Sequence, residues 1–150
     1  MTKIMFVCHG NICRSPMAEF VMKDIIKKAG VADKFVITST ATSTEALGCT
    51  VHRGTKSVLK LHGVHYDERS ARQITRRDYE ENDYILLMDS LNMRNIMRII
   101  GQDDQQKVYR LLDFAGGGDI PDPWYTGDFE GTYEKVLEGC KGLLEKLIKN

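Results

Sequence analysis

Val7-Cys8-His9-Gly10-Asn11-Ile12-Cys13-Arg14-Ser15-Pro16 is the stretch on which the reading of the whole chain turns. It ends a compact apolar run, Lys3 to Cys8, whose Ile4, Phe6 and Val7 give it the composition of a central strand buried on both faces. A Gly-containing turn follows. From Pro16 to about Ala29, Met17, Phe20, Val21, Met22, Ile25 and Ile26 then recur at helical spacing, with Lys23, Asp24, Lys27 and Lys28 on the other side and Gly30 as the stop. A strand, a turn and a helix in immediate succession put the turn at the carboxyl end of the strand, where open α/β sheets bind ligands.

The turn carries its own chemistry. Cys8 and Arg14, with five residues between them, face one bound anion if the intervening backbone curls so that its N–H groups point inward. Pro16 suits the first turn of a helix whose positive end faces the same centre. A phosphate monoester is doubly negative, and a thiolate has to approach it. Amide dipoles, a helix terminus and a guanidinium offset that repulsion and favour the nucleophilic form of the thiol. His9, Gly10, Asn11, Ile12, Cys13 and Ser15 are then the candidate phosphate-binding positions.

The remaining chain alternates between two patterns. Phe35 to Thr40 has the β-branched enrichment of a second strand, and the small, polar stretch Ala41 to Thr50 is a loop able to reach the cradle. Thr50 to His62 predicts a helix closed by Gly63. Arg69, Arg72, Arg76 and Arg77, near Asp78, Glu80 and Glu81, make Ser70 to Asn82 read as a solvated surface with one short helix after Thr75. Tyr84 to Asp89 predicts a third buried strand, Ser90 to Ile100 an amphipathic helix ended by Gly101, and Lys107 to Leu112 a fourth strand. Asp113 to Asp128, with three successive glycines, is too long for a mere connection. Phe129 to Ile148 is a closing amphipathic helix. The expected fold is a single-domain α/β three-layer sandwich over residues 1–150, a four-stranded parallel twisted sheet with helices on both faces.

Composition narrows the function. The chain has 150 residues, 42% of them hydrophobic and 28% charged, so one domain can bury a real core without metal or disulfide staples. A formal net charge of zero gives no reason to expect nucleic acid or an anionic membrane as partner. The early apolar run is far shorter than a signal-peptide core or a membrane span, which makes a cytoplasmic protein without membrane insertion the expectation. Cys8, Cys13, Cys49 and Cys140 lack Cys-x-x-Cys spacing, which argues against structural zinc. No metal or cofactor is called for.

The motif resembles that of the low-molecular-weight protein-tyrosine phosphatases, Cys-x-Gly-Asn-x-Cys-Arg-Ser-Pro, with an acid in a late Asp-Pro-aromatic loop. Asp122-Pro123-Trp124 matches that loop. The likeness also runs through Ser39 to Ser43, Ala71 to Thr75 and Tyr84 to Asp89. The resemblance implies that Cys8 attacks phosphorus to give a phosphocysteine, while Arg14 binds two equatorial oxygens in its planar fork. It implies that Asp122 is the general acid and base, chosen over Asp113, Asp119 and Asp128 because it precedes Pro123 and Trp124. Taken alone, Asp122-Pro123 is a turn start. Ser15 is implied to donate a hydrogen bond to the thiolate, although a serine before Pro16 also reads as a helix N-cap.

Supporting roles fall by the same resemblance to Asn11, held in a strained conformation with Ser39 and His62 as partners. Asp89 either orients Arg14 or caps the following helix, and His62 equally suits a favourable charge at a helix C-terminus. His9, Trp124 and Tyr125 are the expected substrate walls. Many members of the family carry a further aromatic where this chain has Glu45, Ala46 and Leu47. Ile12 matters because related protein-arginine phosphatases have threonine there. The implied ligands are phosphotyrosine-containing proteins or small aryl phosphates, with inorganic phosphate and other oxyanions competing. Two rivals stand beside this reading. An arsenate reductase would relay a disulfide through later cysteines, and there is none between Gln73 and Ser90. A phosphate-binding module without catalysis would not need Cys8, Arg14 and Asp122 together. Finally, Cys13 lies close enough in sequence to capture an oxidised Cys8 as a disulfide, or it simply packs beneath the loop.

Overall fold

The computed structural model describes residues 1–149. Four parallel strands form one sheet in the order β2-β1-β3-β4, with β1 at Thr2–Cys8, β2 at Phe35–Ala41, β3 at Tyr84–Leu87 and β4 at Val108–Arg110. Pairing β1 on both edges explains its continuous apolar run. Cys8 lies opposite Ala41 on one side, and Val7 opposite Leu87 on the other.

Alternation along β1 divides the core. Ile4, Phe6 and Cys8 face helices α1 (Arg14–Lys28), α2 (Arg53–Leu61) and α6 (Phe129–Lys149), packing with Phe20, Leu59 and Val136. Met5 and Val7 face the other layer with Tyr79 of α3 (Arg76–Glu81) and with Ile96 and Ile100 of α4 (Ser90–Ile100). The three-layer α/β sandwich is therefore present. Among the described residues no helix is long and apolar enough to cross a membrane.

Boundaries differ from the sequence reading where side chains compete for caps or burial. Helix α1 begins at Arg14, so Ser15 lies inside its first turn, and no side chain caps its amino end. Helix α2 begins at Arg53 because His52 Nδ1 accepts from the Gly54 N–H at 2.9 Å. Strand β3 stops at Leu87, since Asp89 caps α4 by accepting from the Asn92 N–H at 2.7 Å. Strand β4 ends at Arg110, where the chain turns into a 3-10 segment, Leu111–Phe114, that buries Leu111 and Leu112. The long Asp113 to Asp128 connection contains that segment's end and a short helix, α5 (Pro123–Thr126), with Asp122 as its N-cap. Ser70 to Asn82 is also not merely a solvated surface. Its Ile74 and Tyr79 are fully buried, and Arg72 clamps Asp78 through two 2.9 Å hydrogen bonds.

Two glycines of α6 let the 3-10 segment lie against it. A Cβ on Gly139 would come within 2.5 Å of Leu111 Cγ, and one on Gly142 would overlap the Phe114 carbonyl oxygen. Gly-to-Ala inside a helix ordinarily stabilises by about 1 kcal/mol. Backbone cannot yield as a flexible side chain does, so Gly142→Ala is expected instead to destabilise by roughly 1–3 kcal/mol. Urea unfolding of the two proteins checks the sign.

Candidate active site

Strand β1 ends at Cys8, and its backbone carbonyl already accepts from the Thr42 N–H at 2.9 Å. The next carbonyl, of His9, accepts from the Ser43 N–H at 3.1 Å and from Ser43 Oγ at 2.8 Å. The loop after β2 thus holds the start of the turn from outside. Asn11 then takes φ 58°, a left-handed conformation that asparagine tolerates better than most residues. This reversal aims the Asn11 N–H at Cys8 Sγ, 3.2 Å away.

Polar side chains lock the loop. Ser15 Oγ lies 3.1 Å from Cys8 Sγ, accepts from Asn11 Nδ2 at 2.9 Å and lies 3.2 Å from the Thr40 carbonyl. Its single proton can turn to that carbonyl or to the sulfur, so Ser15 is able to donate to a thiolate when one forms. Asn11 Nδ2 also donates to Ser39 Oγ at 3.0 Å. On the α2 side, the carbonyls of Ile12 and Cys13 accept from the His52 N–H at 2.8 Å and from Thr55 Oγ1 at 3.0 Å.

Arg14 is a buried charge with directional partners. Its Nη1 donates to Asp89 Oδ2 at 2.6 Å and to the Ile120 carbonyl at 2.8 Å, while Nη2 lies 3.5 Å from Asp122 Oδ2. Burial works against the guanidinium charge, but Cys8, Asp89 and Asp122 outweigh it and hold its pKa above the usual range. Nε is buried and has no partner among the described residues. The Nε–Nη2 edge is thus the part of the planar fork left for an anion. Asp89 both orients Arg14 and caps α4, one oxygen for each task.

Asp122 is the carboxylate of the late loop that faces Arg14. Its Oδ1 accepts from the Trp124 N–H at 3.0 Å, which leaves Oδ2 toward the guanidinium. The neighbouring acids are committed elsewhere: Asp113 to the Arg110 N–H, Asp119 to Ser90 and Arg110, Asp128 to the Gly131 N–H. Trp124 and Tyr125 stand exposed above a cleft of about 230 Å³ that also touches His9, Gly10 and Ile12. The His52 ring braces this wall, edge-on to Trp124 with centroids 5.6 Å apart and stacked on Phe129 at 5.0 Å. Burial, then Arg53, lowers the His52 pKa below the ordinary imidazole value.

Cys13 differs from Cys8 in its surroundings. Burial first, then the nearness of Cys8 and of Asp122, pushes its thiol up to about 12, against a smaller pull from Arg14. It stays protonated at neutral pH, and no disulfide is present between it and Cys8.

His62 does not support Asn11. Its Nε2 is 2.6 Å from Glu130 Oε1, and its ring stacks on Tyr133 at 3.9 Å, so it ties α2 to α6. The expected partner is replaced by Arg69, which donates to Asn11 Oδ1 at 2.9 Å, to Ser39 Oγ at 2.8 Å and to the Ser39 carbonyl at 3.0 Å. Ser39 in turn donates to Glu19 Oε1 at 2.6 Å, and Glu19 lies 3.6 Å from Arg69 and 2.7 Å from Lys23. Sequence held a signal for Glu19, a lone acid within the apolar run Pro16 to Met22, which demands a buried partner. Nothing local separates Arg69 from its solvated neighbours.

The chain matches the model of the low molecular weight phosphotyrosine protein phosphatase family over residues 3–150. The low molecular weight protein-tyrosine-phosphatase YfkJ of Bacillus subtilis is 36% identical over 152 residues, covering 99% of this chain and 97% of the relative. The YfkJ crystal structure superposes with a TM-score of 0.95 over 99% of this chain and 96% of that one. SP-PTP, a low molecular weight protein tyrosine phosphatase from Streptococcus pyogenes, superposes with a TM-score of 0.88 at 46% identity, over 98% of this chain and 93% of that one. Vibrio vulnificus Wzb in complex with benzylphosphonate does so at 0.86 and 25% identity, over 97% of this chain and 98% of that one.

Arg69→Met is expected to leave Asn11, Ser39 and the buried Glu19 short of a donor and to cost roughly 1–3 kcal/mol of folding stability. Thermal and urea unfolding check it against Arg77→Met, whose guanidinium pairs, among the described residues, only with exposed Glu81. Whole-chain coverage by the family model and by relatives of similar length places this chain in the low molecular weight phosphotyrosine protein phosphatase family.

Proposed function

We propose that the chain hydrolyses phosphotyrosine and small aryl phosphates through a phosphocysteine on Cys8. The observation that carries this reading is one constellation: Cys8 at the floor of a curled loop, the open edge of Arg14 beside it, and Asp122 across the cleft at 3.5 Å from Arg14. The phosphoryl group would lie on the inward N–H groups of the loop at the uncapped amino end of α1, with two oxygens on Arg14. The Cys8 thiolate attacks phosphorus, the bond to the aryl oxygen breaks, and a protonated Asp122 gives that oxygen its proton. The carboxylate then takes a proton from water, whose oxygen attacks phosphorus. The S–P bond breaks and inorganic phosphate leaves. The Asn11 N–H and Ser15 hydroxyl stabilise the returning thiolate.

The walls supply the preference for a ring. Cys8 is only 3% exposed, and the cleft over its loop is walled by His9 and the aromatic pair Trp124 and Tyr125. A phenyl group can stack between such walls, a contact that the short side chain of phosphoserine does not offer. Benzylphosphonate, held by the related Wzb, has the same combination of ring and tetrahedral phosphorus.

Hydrolysis of p-nitrophenyl phosphate in reducing buffer containing a chelator is the expected result, and its absence would count against the reading. Cys8→Ser and Arg14→Ala are expected to lose nearly all turnover. Asp122→Ala should lose roughly 10²–10⁴-fold on phenyl phosphate and far less on aryl phosphates whose leaving group needs no proton. Equal losses on both classes would remove Asp122 as the acid. Cys13 serves a second proposed role. Peroxide converts Cys8 to a sulfenic acid, the Cys13 thiol attacks that sulfur, water leaves, and a disulfide forms. Thiol reductant then restores activity to wild type, and Cys13→Ser should recover less under identical treatment.

A further inference from the structure

The cleft mouth carries a charge that the proposed chemistry does not use. His9 Nε2 lies 2.7 Å from Glu45 Oε2, and Glu45 remains 74% exposed. In the tautomer with its proton on Nε2, His9 donates to Glu45 Oε2. That bond fixes the carboxylate in place at the rim of the cleft. Among the described residues only Oε2 of Glu45 is engaged, so Oε1 is free to accept.

Charge around the cleft is one-sided. Apart from His9, the titratable side chains lining it with a formal charge are Glu45 and Asp122, with no lysine or arginine among the described lining residues. Asp122 has the Arg14 guanidinium 3.5 Å behind it, whereas Glu45 is held by the His9 imidazole and pairs with no lysine or arginine among the described residues. Across the mouth, Trp124 and Tyr125 are 60% and 82% exposed, offering faces on which the stem of a long cation can lie.

We infer that Glu45, positioned by His9, is a specificity-determining residue that favours phosphotyrosine substrates with a lysine or arginine beside the phosphotyrosine. This rests on the phosphatase reading and adds the chemistry of the flanking residue. The phosphotyrosine ring occupies the cleft, so the group that meets Glu45 at the rim belongs to the neighbouring residue of the substrate. A cation there gains one exposed ion pair, and an acidic side chain there meets a carboxylate of like charge.

The test compares kcat/KM for phosphotyrosine peptides that are identical except for Lys or Glu on either side of the phosphotyrosine, with p-nitrophenyl phosphate assayed in parallel. At low ionic strength the wild-type protein is expected to prefer the Lys peptide by roughly two- to fivefold, the size of an exposed ion pair, through KM and not kcat. Added salt should shrink the preference. Glu45→Gln, which keeps the size and can still meet His9, should abolish it. Equal kcat/KM for the two peptides, or a preference undiminished in Glu45→Gln, overturns the inference while p-nitrophenyl phosphate turnover leaves the phosphatase reading intact. A protein that turns over neither class of substrate overturns both.

Discussion

A guanidinium buried at the end of a central strand is the constraint around which this molecule is arranged. Arg14 is 2% exposed, and a charge so placed is tolerated only where directional partners replace water. Those partners come from distant parts of the chain: Asp89 from just after β3, and the Ile120 carbonyl and Asp122 from the late loop. Putting β1 beside β3 in the sheet brings Asp89 to Nη1. Winding the late loop back across the carboxyl ends of the strands brings the other two. Folding and assembly of the site are thus one event, and the Nε–Nη2 edge is what remains for an anion.

The second dependence runs through the loop backbone. Asn11 can hold φ 58° because its side chain is fixed at both ends, by Ser15 and Ser39 through its nitrogen and by Arg69 through its oxygen. Helix α2 holds the other half of the loop, and the same His52 that donates to the Ile12 carbonyl braces Trp124 next to Asp122. The cradle and the acid loop therefore share a support. The contact with the cradle is made by the His52 backbone and the contact with Trp124 by its ring.

Much of this was legible in the residues. The apolar run Ile4 to Cys8, the Gly-Asn turn and the helical pattern after Pro16 specify a strand, loop and helix through strong local signals, and the alternation of patterns specifies the parallel sheet. Asp122 stood out because Pro123 and Trp124 follow it in a family pattern. Features decided by tertiary partners were not legible. His62 and Arg69 are both plausible partners for a loop by residue type, and only the path of the chain after Gly63 brings Arg69 to Asn11 and leaves His62 against Tyr133. Strand β4 stops at Arg110 because the chain turns into the 3-10 segment, where Leu111 packs on Gly139 and Phe114 on Gly142 of α6. The bond between His9 and Glu45 joins residues 36 apart, and neither position signals the other.

The central claim is that the sulfur of Cys8 becomes bonded to phosphorus. Rapid-quench mass spectrometry of Asp122→Ala, mixed with p-nitrophenyl phosphate, tests it most directly, because loss of the base slows hydrolysis of the intermediate while the activated leaving group still departs. The account predicts one phosphoryl group on the peptide containing residues 8 to 14, localised to Cys8 and absent in Cys8→Ser. Turnover without any such adduct, or an adduct on Cys13, would contradict it.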